Sequence, residues 1–250
     1  MRITISDDRR DLGKVAARYG IEKIKEAIES RGEAFIVLES GTSQIETLKN
    51  LASSDVEWDK VHVFQFDEFL SFDSDSPRSN SYFVKSSFVD LLGDRKLKSC
   101  YYLDTEEQNI KYINDVANKI RFDVAFACIG ENGHLGYNDP PANFNIKDPY
   151  IAVNLDLRSR KQLVTEGSFK KLSEVPTRAV TLSISKLLES RVIIVSCPDQ
   201  RKARGVATAL YESYNPQYPC TALRRKKQVN LFLDQTSSML ILGDQRPSDF

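Results

Sequence analysis

Val124-Ala-Phe-Ala-Cys-Ile129 runs directly into Gly130-Glu-Asn-Gly-His-Leu-Gly-Tyr-Asn-Asp-Pro-Pro141. An apolar run of this kind, without polar residues at alternate positions, reads as a strand buried on both faces, as inner strands of parallel sheets are. The segment after it holds three glycines around one of only two histidines in the chain. Such a loop is tight and backbone-specific, and it holds the imidazole of His134 at the carboxyl edge of the sheet. Ligands of open α/β sheets bind along that edge, so this junction directs attention to the other strand ends.

Working outward, Ala34–Leu38, Val61–Phe66, Val192–Cys197 and Val229–Leu233 have the same strand character. Helical periodicity fills the intervals: Leu12–Ser30, Ile45–Ser53, Ser79–Leu91, Glu106–Ile120 and Pro198–Glu212. Alternation of this kind implies βαβ units and an α/β fold. The expected architecture is a single three-layer α/β/α Rossmann-like domain over residues 1–250, with a mostly parallel central sheet. The weakest periodicity lies at 143–176, the best candidate for an insertion or mobile lid.

Three further strand ends carry unusual chemistry. Glu39-Ser40-Gly41-Thr42-Ser43 enters a helix and reads either as an N-cap turn or as a phosphate seat of unpaired amides at a dipole's positive end. After Val61–Phe66 come Asp67 and Glu68, which are not expected to face the core together. One could serve as a general base in a cleft, or the pair could cap a helix. Asp199-Gln-Arg-Lys-Ala-Arg204 places three cations at a predicted helix start, against the macrodipole, which implies either a bound anion or a solvated face. Within the glycine loop, Asn132, Asn138 and Asp139 could orient the His134 ring or exchange protons with it. His62 sits inside a strand and reads as structural.

Bulk properties exclude several classes. The 250 residues are 41% hydrophobic and 28% charged, ordinary for a soluble globular protein. Lys and Arg total 35 against 35 Asp and Glu, which argues against a general nucleic-acid binder. The run Arg224-Arg-Lys-Lys227 is left as a solvated face or an anion contact. Cys100, Cys128, Cys197 and Cys220 are scattered without ligand spacing, as expected of reduced thiols in the cytoplasm rather than a zinc site. No signal core or membrane-length apolar run is present.

Together these elements resemble the glucosamine-6-phosphate deaminase/isomerase family, of the same superfamily as the 6-phosphogluconolactonases, from about Phe35 to Asp234. Gly130–Pro140 is similar to the family's G-x-[DN]-G-H-[IL]-[AG]-F-N-E-P, and Phe66–Phe69 to M-D-E-Y. Ser40–Ser43 looks like T-G-[GA]-[ST]. Val175-Pro176 with Ala179–Leu182 resembles V-P-x-x-A-L-T, and Lys202-Ala203 the K-A of a later helix. The resemblance implies that a sugar phosphate sits on Ser40, Gly41, Thr42 and Ser43 with Lys202 as counter-ion. His134 would open the pyranose ring, and Asp67 would move a proton between C2 and C1. Glu68 and Gly133 would support the site, while Asn132 and Asp139 would assist His134. No metal or organic cofactor is implied. The partner is a small sugar phosphate, without nucleic acid or membrane, and members include monomers and homo-oligomers.

Two positions depart from the family pattern: Asn132 stands where many deaminases have Asp, and Asp139 where they have Glu. Neither Arg158 nor Arg160 matches the family's second phosphate-binding arginine closely. A 6-phosphogluconolactonase-like hydrolase and a non-catalytic sugar-phosphate sensor are the alternatives, and Asn-Asp-Pro after the histidine loop favours the deaminase.

Overall fold

The computed structural model describes residues 1–103 and 107–241. The chain opens with β1 (Arg2–Ser6), α1 (Arg9–Arg31), β2 (Ala34–Leu38) and α2 (Ile45–Ala52). Next come β3 (Val61–Gln65), β4 (Asp67–Phe69), α3 (Asn80–Val84), β5 (Ser99–Tyr101), α4 (Glu107–Ala117) and β6 (Val124–Ala127). Then β7 (Tyr150–Asn154), α5 (Leu157–Thr165), β8 (Arg178–Leu182) and α6 (Ile184–Glu189) precede β9 (Val192–Cys197), α7 (Ala203–Tyr211) and β10 (Val229–Asp234).

Seven strands form one sheet in the order β1-β10-β9-β6-β2-β3-β5. Every pairing in it is parallel. Alternate strand residues supply two apolar layers. Ile36, Leu38, Val63 and Phe126 pack on one face with residues of α1, α2 and α3. Val37, Phe64, Ala125, Ile193 and Val195 pack on the other with residues of α4, α6 and α7. The chain is therefore α/β with helices on both faces, as the unbroken apolar runs imply.

β2 leads outward to β3 and β5, whereas β6 pairs on the other side of β2 and leads to β9 and β10. Their crossovers diverge, leaving a crevice at the carboxyl ends of β2 and β6, where such folds hold ligands. Against that end lies a small antiparallel sheet, β4-β8-β7. Phe69, Tyr137, Leu155, Phe169, Val175 and Ala179 form its apolar cluster.

The departures from sequence expectation are local. The Val61–Phe66 run ends as strand at Gln65, and the chain then enters β4 instead of a helix. The Val124–Ile129 run pairs only to Ala127. The Ser79–Leu91 helix has α geometry to Val84 and continues as a π turn and a 3-10 turn. The 198–212 helix begins with a 3-10 turn at Gln200–Lys202, after Asp199 in the left-handed region at φ 79°. α4 covers the Glu106–Ile120 reading from Glu107 to Ala117, and Glu106 lies outside the described residues. Periodicity passes over β1 and β5, which are edge strands, and over β7 and α5, which shape the 143–176 segment.

The start of α2 is seated by a close approach. A Cβ at Gly13 of α1 would lie 2.4 Å from Glu46 Cβ and 2.9 Å from the Thr47 amide. Gly13→Ala is therefore expected to cost about 1–3 kcal/mol through overpacking. Thermal and urea unfolding would read this as a fall in Tm of a few degrees and a lower urea midpoint, with an unchanged m-value.

Candidate active site

A cavity of about 320 Å³ opens at the crevice between the β2 and β6 ends. Ser40, Gly41, Thr42, Ser43, Asp67, His134 and Lys202 all line it. They come from the ends of four strands that the chain order keeps far apart, β2, β3, β6 and β9, and the parallel register brings those ends level.

Gly41, at φ 122°, turns the chain after β2 into a 3-10 turn, Thr42–Gln44, which runs on into α2. The amides of Thr42 and Ser43 make no hydrogen bond among the described residues and lie at the positive end of the helix. The Ser40 hydroxyl is committed elsewhere: it donates to Asp67 Oδ1 at 3.0 Å.

Asp67 and Glu68 are both buried, at 3% and 1% exposure, but they do not face the same side. They point opposite ways because they are neighbours on a strand. Glu68 accepts from the backbone amides of Asn80 and Ser81 at 3.1 and 2.7 Å, so it caps the start of α3. Asp67 faces the cavity and accepts from Ser40 and from Asn80 Nδ2 at 2.8 Å. Burial pushes its carboxyl up to about 7; the Ser40 and Asn80 donors oppose this and the Glu68 charge reinforces it. An acid so poised can both take and return a proton near neutral pH.

The His134 ring packs over Gly130, where a Cβ would come within 2.1 Å of Nε2. Nδ1 lies 3.1 Å from Ser159 Oγ and 3.4 Å from Asp139 Oδ1. The Ser159 hydroxyl in turn donates to Asp139. A proton on Nδ1 is thus held by a hydroxyl and a carboxylate, while Nε2 makes no hydrogen bond among the described residues. Burial would raise the Asp139 carboxyl, but the His134 contact, Ser159 and the Asp156 amide hold it below its ordinary range. Asn132 accepts from the His134 amide at 3.1 Å and directs its Nδ2 toward Asp139 and Ser159, each at 3.4 Å. Neither Asn132 nor Asp139 lines the cavity; both reach it through the imidazole. Gly133, at φ 84°, closes the loop by donating to Gly130 O and accepting from the Cys220 amide.

Lys202 is 4% exposed and pairs with Glu166 at 3.3 Å. Burial would lower its ammonium, but the negative charge of Cys128 and Glu166 holds it above its ordinary range. Beside it, Glu39 is also buried, with Oε2 unpartnered among the described residues, and burial raises its carboxyl well above the usual range. The second cation of the cavity is Arg78, paired with Glu174 at 2.9 Å. Arg160 instead donates to the carbonyls of Leu172 and Val175, and Arg158 lines a separate groove.

The family described as glucosamine-6-phosphate isomerases/6-phosphogluconolactonase matches residues 7–232. The chain belongs to this family. It is 23% identical to the glucosamine-6-phosphate deaminase of Clostridium botulinum (strain Eklund 17B / Type B), covering 100% of this chain and 99% of that one. It is also 23% identical to the deaminase of Streptococcus pneumoniae serotype 4, over 96% of this chain and 100% of that one. Among solved structures, a monomeric glucosamine-6-phosphate deaminase superposes with a TM-score of 0.83 at 22% identity, over 96% of this chain and 100% of that one. The 6-phosphogluconolactonase of Trypanosoma brucei gives 0.77 at 15%, over 96% and 98%. These likenesses establish the family fold in this chain.

Within that fold, sequence reading did not single out Ser159, Asn80, Arg78 or Glu166, and it named Glu39 only as the start of the Ser40–Ser43 turn and Cys128 only as a scattered thiol. Ser159 and Glu166 lie on or beside α5, in the segment of weakest periodicity. Arg78 precedes α3 and Asn80 opens it, and only tertiary folding brings them to the cavity that Asp67 lines.

Because the folded-state value of Asp67 is about 7 against an ordinary 3.8, the folded protein holds this proton more tightly than the unfolded chain. Stability is therefore lost as pH rises between those values, by an amount of order 4 kcal/mol at about 1.4 kcal/mol per unit. Asp67→Asn removes that loss. Its Tm advantage over the wild type should grow from pH 4 to pH 7 and level off above; an advantage that shrinks over this range would contradict the burial argument.

Proposed function

We propose that this chain converts a hexosamine 6-phosphate to a ketose 6-phosphate and ammonia. The observation that carries the reading is the convergence of Asp67 and His134 on one cavity with Lys202 and the Thr42 and Ser43 amides. His134, with Nδ1 engaged by Ser159 and Asp139, delivers a proton from Nε2 to the ring oxygen as the C1–O5 bond breaks, and Nε2 takes back the proton that the C1 hydroxyl loses in becoming the aldehyde. Asp67 then takes the C2 proton and returns it to C1 through an enolamine. Ammonia leaves C2, and water supplies the ketone oxygen. The charge that Asn132 cannot give the imidazolium is supplied by Asp139.

The substrate phosphate takes Lys202 from Glu166. Glu166 follows α5, so this exchange gives residues 143–176 the role of a lid, with residues 1–250 acting as a single domain. Glucosamine and galactosamine phosphates both fall within the proposal. The unpaired thiols of Cys100, Cys128, Cys197 and Cys220 support action in the cytoplasm.

Given glucosamine 6-phosphate, galactosamine 6-phosphate and 6-phosphogluconolactone in turn, the enzyme should release ammonia and ketose phosphate from at least one amino sugar. Hydrolysis of the lactone alone would assign the hydrolase instead, and binding without turnover would assign a sensor. Asp67→Asn should lower kcat by roughly 10²–10⁴-fold with ligand affinity little changed. In the wild type, kcat/KM should fall as pH drops through about 7, where Asp67 takes up its proton. Glu166→Gln, which frees Lys202 of its internal anion, should lower KM for the phosphorylated substrate several-fold. A raised KM would show that Glu166 binds substrate directly.

A further inference from the structure

The basic run Arg224–Lys227 has no part in the catalytic cavity. Lys226 and Lys227 instead line a second cleft, of about 740 Å³, beneath the opposite edge of the sheet. Asp123, Arg191 and Gln228 in its wall immediately precede β6, β9 and β10, so it lies at the amino ends of these strands, two of which, β6 and β9, have their carboxyl ends at the catalytic site. Arg31, the last residue of α1, and Arg121 complete the wall.

Its charge is lopsided. Six basic side chains, Lys23, Arg31, Arg121, Arg191, Lys226 and Lys227, line it against two acids, Glu26 and Asp123. The chain as a whole is neutral, so this excess of four is a local concentration. The acids present are already occupied. Asp123, 3% exposed, accepts the Phe35 amide on Oδ2 and holds both Arg31 and Arg191 on Oδ1. Glu26 is paired with Lys23 at 2.6 Å. Among the described residues, Arg121, Lys226 and Lys227 have no acidic partner. Burial, with repulsion from Arg121 and Arg191, holds the Lys226 ammonium below its ordinary range. Like charges gathered in a cleft repel, and an anion seated among them relieves that repulsion.

We infer that this cleft is a second anion site, binding a small molecule that carries a diphosphate group. An excess of four charges suits adjacent phosphates better than a single one. The guanidiniums of Arg31 and Arg191, both held by Asp123, present planar donors suited to phosphate oxygens, with Lys226 and Lys227 as point charges in the same cleft. The volume exceeds what a diphosphate alone needs and leaves room for the group that bears it.

The inference does not depend on the reaction proposed for the other end of the sheet. Pyrophosphate, titrated into the full-length protein at fixed ionic strength, should raise Tm saturably. Titration calorimetry should give a dissociation constant that Lys226→Glu/Lys227→Glu weakens at least tenfold. Arg121→Ala provides a second variant should that pair fail to fold, and it should weaken binding several-fold. Lys202→Ala, which disables the catalytic cavity's own cation, should leave the pyrophosphate affinity of the second cleft intact. The Lys226/Lys227 variant should turn over amino-sugar phosphate with unchanged kcat/KM. Two results would overturn the assignment: no saturable response in the wild type, or a response kept by the Lys226/Lys227 variant and abolished by Lys202→Ala.

Discussion

The pairing of β2 with β6 is the constraint on which the rest of the molecule depends. Ile36, Val37 and Leu38 lie in register with Val124, Ala125 and Phe126, between strands that leave in opposite directions across the sheet. Because the chain diverges there, no crossover covers the ends of these two strands. The turn at Ser40–Ser43 and the loop at Gly130–Gly136 therefore face each other across an open crevice. The ladder is held by side chains excluded from water on both faces, which makes a register slip costly.

Around that crevice the electrostatics are those of a crowded, poorly solvated site. Asp67, Glu39 and Glu166 share it with Lys202 and Arg78. Burial acts on Asp67 and Glu39 in one direction and on Lys202 in the other, and the neighbours decide the outcome for each of these groups. Asp67, met by two neutral donors and a like charge, keeps its proton to about 7. Lys202, met by the negative charge of Cys128 and Glu166, keeps its charge. The same physics gives an acid able to exchange protons and a cation able to hold an anion.

The small antiparallel sheet connects these groups mechanically. β4 sets Asp67 and Glu68 on opposite faces, one toward the cavity and one under the start of α3, so α3 and Asn80 are fixed by the same two-residue step. β8 pairs with β4, and its Thr181 hydroxyl accepts from the Tyr137 amide, tying the histidine loop to the strand that carries Asp67. On the far side of His134, Asp156 caps α5 and its amide donates to Asp139, so the helix that supplies Ser159 is anchored to the residue Ser159 contacts. The Asp67 carboxylate and the His134 imidazole are thus positioned by one set of backbone contacts.

The local sequence determined the strands buried on both faces, because an unbroken apolar run such as Ala34–Leu38 or Val192–Cys197 is stable only inside a covered sheet. It also determined the conformation of the Gly41 and Gly133 turns and the candidacy of His134, since those follow from backbone sterics and from the chemistry of one side chain. Tertiary structure alone decided which acids would be shifted and which cations spent. Asp67 owes its proton affinity to the exclusion of water and the Glu68 charge, against the Ser40 and Asn80 donors, and Lys202 owes its partner to a helix end 36 residues away. The burial of both Asp67 and Glu68 likewise required a short antiparallel strand that no periodicity announces in three residues. Proximity across the chain sets dielectric, pairing and protonation together, and none of these is a property of a residue and its sequence neighbours.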